Sequence, residues 1–466
     1  MSITQTRPDV ARTLRPRVLR PRFGAISPET GDAILYGLSA VFAVITIVAS
    51  SLALYRQWAE LAIGPFIFGA VSSAVLAIVA ARRRRHARGS RGSAATRPRT
   101  RRQWIGRIII AVCVFAGATA IPLGLEIVWR SEGVPGSHVQ PEVPVIERAG
   151  QTVAKGKDPY HAVTNSRGKV QYHAPGLSTV DTFVPYLPLM AVFGLPSEKK
   201  HDIVLTDARI FFSLATLLVA GVALWLCPAD GRRKMRALQV IAILPTAALP
   251  LATGGDDMPI VAFLLLAMVL AQRRQPFASG VVLGIVSAMK FTAWPLAALA
   301  LFAARNRRGD RRPLTMFLGM LVLAGPVVVP FALSGPWAFF DNVVLFPLGL
   351  SGVKSPAASP LPGHLLVSAF PFLHRILPLG VGLVGGALLA WYLYRRPPRT
   401  ASQVCKVGGV VMGVITLLAP ATRIGYLLYP INFFVWSYLF AEPAEATHPE
   451  LLADHTDGAE GDLLLA

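Results

Sequence analysis

The sequence predicts an all-α protein that crosses a membrane many times, and three observations predict it. Of its 466 residues 53% are hydrophobic and only 15% charged, where a soluble domain carries roughly 25% charged residues. Apolar runs recur along the whole chain and approach the ~20 residues needed to cross a bilayer. The charges gather in short breaks between those runs, as loops of a membrane protein do.

Reading apolar runs against basic or proline-rich breaks gives about twelve spans. They lie near residues 31–54, 61–81, 108–129, 203–227, 237–253, 257–272, 276–289, 291–304, 313–333, 376–396, 405–421 and 425–441. The pair 276–289 and 291–304 is short and meets at Lys290. With the N-terminus in the cytoplasm, 32 of the 46 lysines and arginines fall on the inner side, as the positive-inside rule requires. The net charge of +21 therefore reads as topology and not as a nucleic-acid surface.

The domain order follows. Residues 1–30 form a basic cytoplasmic tail without the apolar core of a signal peptide. Residues 31–81 form a front transmembrane hairpin, and 82–107 an arginine-rich cytoplasmic linker with eleven arginines and no acid. That linker fixes topology; contact with anionic lipid is its functional alternative. Residues 108–441 form the membrane core and 442–466 an acidic cytoplasmic tail. Cys113, Cys227 and Cys405 lie in helices or at their ends, which predicts no disulfide and no sulfur-built metal site.

The large extracytoplasmic loop, between the third and fourth spans, covers 130–202 and is the most informative segment. In PEVPVIERAGQTVAKG, Val145, Ala149, Thr152 and Val153 recur at helical spacing, with Glu142, Glu147, Arg148 and Lys155 off that stripe. This predicts an amphipathic helix on the membrane surface, ended by Gly156 and followed by a turn at Asp158-Pro159. FVPYLPLMAVFGLP (183–196) is too short to span and reads as a second surface helix or a re-entrant segment. A further outer segment, SGPWAFFDNVVLFPL (334–348), has the aromatic character of a membrane interface.

Several of these pieces occur together in one known family. Glu142 just beyond a transmembrane helix, then GKDPY (156–160) closing an amphipathic helix, then PYLPL (185–189), resemble the first outer loop of the C-type membrane glycosyltransferases. More narrowly they resemble glycosyltransferase family 87, the polyprenyl-phosphate-mannose-dependent α-mannosyltransferases. SGVVLGIVSAMKFTAWP (279–295) and LLAPATRIGYLLYP (417–430) are similar to two further stretches of that family. The likeness covers roughly residues 104–441. It departs at Glu142, where relatives usually carry aspartate, at Tyr-Leu-Pro in place of Tyr-Pro-Pro, and at TGGDDMP (253–259).

The resemblance implies a hexosyltransferase of a bacterial plasma membrane, with both termini cytoplasmic and its site on the outer face. It would move a hexose, mannose by the family pattern, from a polyprenyl-phosphate sugar to a hydroxyl of a glycan or glycolipid acceptor, with inversion. Such chemistry needs a carboxylate as general base and cations on the leaving phosphate. Glu142 is the first candidate base, with Glu147, Asp158 and Glu126 behind it. Lys290, Arg423 and Arg209 are the candidate phosphate cations. Tyr160, His161 and Tyr186 are candidates for contact with sugar, or for packing. Asp256 and Asp257 either line the same cavity or cap a helix. His138, His161 and His173 fit no compact metal-ligand spacing, so no metal and no cofactor is expected beyond the lipid-linked donor and surrounding lipids. A multi-pass transporter or flippase is the alternative, but the ionisable residues collect at outer helix ends and not at the midplane of two repeats. A non-catalytic membrane scaffold is a third reading.

Overall fold

The computed structural model describes residues 26–89, 101–160, 163–164, 170–171, 183–198, 203–305, 311–348, 351, 357, 359–421 and 423–441. In chain order its principal helices are α1 (Pro28–Ala49), α2 (Ala53–Gly89), α3 (Arg101–Ser131), α4 (Glu142–Ala154), α5 (Ala208–Leu226), α6 (Gly231–Thr253), α7 (Asp257–Gln272), α8 (Pro276–Ser287), α9 (Trp294–Ala304), α10 (Arg312–Ser334), α11 (Ile376–Arg395), α12 (Ala401–Leu418) and α13 (Leu428–Leu439). Among the described residues the strand pairing is confined to Val163–Thr164 against Val170–Gln171.

Every apolar run expected to span is occupied by helix, but eight helices, not twelve, are long and apolar enough to cross a membrane: α1, α2, α3, α5, α6, α10, α11 and α12. The other four are shorter. A 12-residue helix such as α8 rises only ~18 Å, well short of a hydrocarbon core of ~30 Å. Three of them, α7, α8 and α9, are cut off by polar breaks at Asp256-Asp257, at Gln275-Pro276 and at Lys290. These short helices go inside: almost every residue of α7 from Asp257 to Ala271 is buried. A helix apolar on all sides belongs in such a position. By contrast none of the apolar window of α11 is buried within the protein.

The front hairpin is tied to the body. Trp58 is buried and its indole donates to Ala118 O at 2.9 Å. At the other end of the bundle Asp32 accepts from Arg107, from Arg236 Nη1 at 2.7 Å and from Gln239 Nε2 at 3.0 Å.

Helix α4 ends where the sequence places its stop. Gly156 has φ +68, a left-handed conformation that glycine adopts without cost. Its N–H bonds Val153 O at 2.8 Å, and Lys157 N bonds Thr152 O at 3.1 Å. These two bonds are the paired closure of a Schellman motif. The expected polar face is corrected in one respect: Glu147 is buried at 8% exposure, because Arg130 reaches it from α3. The buried face therefore joins Val143, Val145, Ile146, Ala149 and Gly150 to a paired carboxylate.

Of the two readings of the next segment, the amphipathic surface helix is corrected. Residues Pro188–Glu198 form a 3-10 helix whose Met190, Ala191, Phe193 and Gly194 are buried, so it is packed inward. Leu187 N and Leu189 N donate to Met289 O and Ala288 O, both at 3.0 Å. That pairing holds Tyr186 next to the α8–α9 break. Against α4 the two backbones touch at Gly150 and Gly194, and a Cβ on Gly194 would lie 2.1 Å from Ile146 O. Gly194→Ala therefore forces the two segments apart and lowers stability by about 1–3 kcal/mol. A thermal melt of the purified variant indistinguishable from wild type would contradict this contact.

Candidate active site

Five pieces of chain meet at one end of the bundle: the start of α4, the α6–α7 break, the α8–α9 break, the 183–189 segment and the stretch from Arg423 to Tyr429. Lys290 stands in extended backbone, φ −156 and ψ 142, between α8 and the short turn before α9. Asp256 precedes the first residue of α7 but makes no capping bond. Its carboxylate instead meets Lys290 Nζ at 3.1 Å through Oδ1 and 2.9 Å through Oδ2. Asp257 Oδ1 lies 2.7 Å from the same ammonium and accepts from Tyr429 OH at 2.5 Å. The capping reading of Asp256 gives way to ion pairing. The Tyr186 and Tyr426 rings flank Nζ at 5.5 and 5.6 Å, within cation–π range.

Beside this triad Glu142 is paired with Arg423 through Oε1. Its Oε2 is buried and has no hydrogen-bond partner among the described residues. The chain leading into Glu142 is pinned on the end of α6: Gln140 N donates to Thr253 O at 2.9 Å. Gln140 Nε2 donates to Thr253 Oγ1 at 2.6 Å and to Tyr55 OH at 3.1 Å. The site thus collects three carboxylates and two cations. Burial, opposed by Lys290 and reinforced by Asp257 and Glu142, pushes Asp256 up to about 7. Proton uptake there brings three negative charges towards balance with two positive ones.

Arg209 belongs to a second cluster. It is fully buried, with Nε and Nη2 on Asp207 at 2.9 and 2.8 Å and Nη1 on His138 O at 2.8 Å. Arg130 adds bonds to Glu147 at 2.9 and 2.6 Å and to Asp207 at 2.6 Å. Burial pushes the Asp207 carboxyl up, but Arg209 and Arg130 hold it below its ordinary value. The stability it contributes is present at neutral pH and is lost as pH falls through that lowered value. His138 Nδ1 lies 2.9 Å from Glu126 Oε2 in the same region. Arg209→Met leaves Asp207 buried with half its counter-charge, and about 3–5 kcal/mol of stability is lost. A variant that melts normally and only raises the donor KM would instead make Arg209 a phosphate ligand.

The remaining candidates sort cleanly. Tyr160 is buried, donates its hydroxyl to Tyr186 O at 2.6 Å, and packs edge-on to Phe331 and Phe339 at 6.3 and 5.1 Å. Asp158 accepts from Tyr160 N at 2.8 Å and from Ser334 Oγ. Both shape the turn and anchor it to α10. Glu147 is committed to Arg130. His161 and His173 lie outside the described residues. The structure thus joins Glu142, Asp256, Asp257, Lys290, Arg423 and Tyr186 into one site, and adds Tyr426, Tyr429, Gln140 and Tyr55, which the sequence reading did not single out. Tyr426 and Tyr429 stand three and six residues beyond Arg423 in the quoted LLAPATRIGYLLYP, so the arginine was their signal.

A family profile, glycosyltransferase family 87, matches residues 183–420, more than half of the chain. The chain belongs to glycosyltransferase family 87. No curated protein and no solved structure matches it. The family 87 match contains PYLPL, the Asp256-Asp257 pair and Lys290, while Glu142 and GKDPY precede it and Arg423 follows it. Family membership and eight spanning-length helices make this chain a membrane glycosyltransferase.

Proposed function

We propose that the protein transfers a hexose, mannose by its family pattern, from a polyprenyl-phosphate donor to a hydroxyl of a lipid-linked or cell-envelope glycan, at the outer face of the membrane. The observation that carries this reading is Glu142: one oxygen is held by Arg423 and the other is enclosed and unpartnered. A carboxylate oriented in this way can take a proton from an acceptor hydroxyl.

The step balances in a single displacement. The acceptor oxygen bonds to the anomeric carbon as its proton passes to Glu142 Oε2. The carbon–oxygen bond to the lipid phosphate breaks, with oxocarbenium character between the two events. The polyprenyl phosphate leaves with the extra negative charge, and the sugar inverts. Arg423, with guanidinium donors beyond its bond to Glu142, suits the departing phosphate. Lys290 already spends its three N–H groups on Asp256 and Asp257. It serves the phosphate only as a positive charge, or when Asp256 takes up a proton.

The topology belongs to the same proposal. The arginine-rich inner loops support a cytoplasmic N-terminus, with the short helices α7, α8, α9 and α13 packed among the eight helices of spanning length. The test is transfer by purified protein in liposomes, using radiolabelled polyprenyl-phosphate mannose and a membrane glycan extract. Label is expected to move to a glycan only with donor in the outer leaflet. Absence of transfer from any polyprenyl-phosphate sugar, alongside donor flipping, would replace the enzyme by a flippase.

A further inference from the structure

At the end of the bundle opposite the candidate site lies a cleft of about 720 Å³ lined by Arg101, Trp104, Asp230, Gly231, Arg232, Arg233 and Tyr438. The chain itself fixes its position. Helices α3 and α6 begin at the cleft, with Arg101 and Gly231, and α13 ends there, just after Tyr438. The far ends of α3 and α6 and the start of α13 lie by Arg130, Thr253 and Tyr429, which belong to the site and its supporting cluster. The cleft therefore stands at the end of the bundle where α3 and α6, both of spanning length, begin and α13 ends, the place at which headgroups would meet the protein.

Its chemistry is unbalanced in one direction. Asp230, the one acid, is already spent: its carboxylate accepts from Arg232 N at 2.9 Å and Arg233 N at 3.1 Å, and lies 3.2 Å from Arg233 Nε. Arg233 is fixed as a wall, bonded to Ala441 O and lying over the Tyr438 ring at 5.3 Å. Among the described residues the guanidiniums of Arg101 and Arg232 have no acceptor. Two uncommitted forks of N–H donors are suited to a phosphate, and Trp104 and Tyr438 supply the aromatic surface found at the membrane interface.

We propose that this cleft binds the phosphate headgroup of an anionic phospholipid in the leaflet opposite the active site. A free phosphate ion would fill only a small part of the volume and would leave the aromatic walls unused. The acidic tail that begins beyond Ala441 shares the right charge. The bilayer-level position of the cleft favours a lipid, because there a headgroup is present at high local concentration and attracted to basic residues.

The full-length protein is reconstituted in nanodiscs of phosphatidylcholine with a minor fraction of phosphatidylglycerol, and retained lipid is counted by native mass spectrometry. Wild type and Arg101→Gln/Arg232→Gln are compared at one ionic strength, so that the rest of the arginine-rich linker contributes equally to both. The double variant is expected to retain phosphatidylglycerol roughly ten-fold less well, with phosphatidylcholine unchanged and the melt in pure phosphatidylcholine unaltered. Equal phosphatidylglycerol retention by the two proteins overturns the site. Glycerol phosphate that displaces the lipid at equal concentration overturns the lipid source in favour of a soluble phosphate. Cross-linking of the acidic tail to the cleft that persists in phosphatidylglycerol nanodiscs overturns it in favour of the tail.

Discussion

Replacing Lys290 with methionine is expected to abolish transfer and to cost the fold about 3–5 kcal/mol, the range seen when one partner of a buried ion pair is removed. Lys290 is the shared counter-ion of Asp256 and Asp257, at 2.7 to 3.1 Å from their oxygens. Without it two buried carboxylates face each other with no cation between them. Asp256, already pushed up by burial, can escape only by taking up a proton, so its folded-state pKa rises further above that of the unfolded chain. The native state then holds more protons than the unfolded state from about pH 4 upward, and stability falls as pH rises. The loss should be mild at pH 5 and severe at pH 8, read as the thermal midpoint in detergent. Adding Asp256→Asn removes one of the stranded charges and should recover much of the stability without restoring transfer. If Lys290→Met melts like wild type at pH 8, the ion triad does not hold this end of the bundle together.

Glu142→Gln separates chemistry from structure. The amide keeps an oxygen for Arg423 but cannot take a proton, so transfer should drop by about 10²–10⁴-fold while the melt moves little. Glu142→Ala also strands Arg423 and should lose stability as well as activity. Donor binding, measured by protection of the melt with a non-transferable polyprenyl phosphate, should survive in Glu142→Gln. An amide variant with undiminished transfer would remove Glu142 as the base and turn attention to Asp257, which already exchanges a hydrogen bond with Tyr429.

The sequence was legible where one physical rule acts over a short stretch. Helix α4 shows this: a four-residue apolar spacing made the helix and Gly156 closed it, and both survive in the fold. The same reading placed Glu147 on the solvent side, because periodicity records the apolar face and is blind to an arginine arriving from another helix. Asp256 shows the same limit. Ahead of Met258-Pro259 it looks like an N-cap, and only the approach of Lys290 from the α8–α9 break shows that its oxygens are engaged elsewhere. Arg209 and Arg423 looked equivalent as cations at outer helix ends, with Lys290 at the α8–α9 break as the first candidate. Their partners separate them, since Arg209 is fully buried against Asp207 whereas Arg423 remains partly exposed beside Glu142.

By itself, then, the sequence determined that the chain is a helical membrane protein and, in elements such as α4, where a helix stops, but it overcounted the helices long enough to span. Hydropathy, loop charge, glycine and proline act locally and can be read residue by residue. It also carried the family, through short motifs whose order is kept along the chain. Only the tertiary structure decided which ionisable groups meet, which are consumed in holding the bundle together, and that one oxygen of Glu142 is left without a partner. The physical reason is that ion pairs in a bundle join residues far apart in the chain. Distance and burial, which no stretch of sequence contains, set their strength.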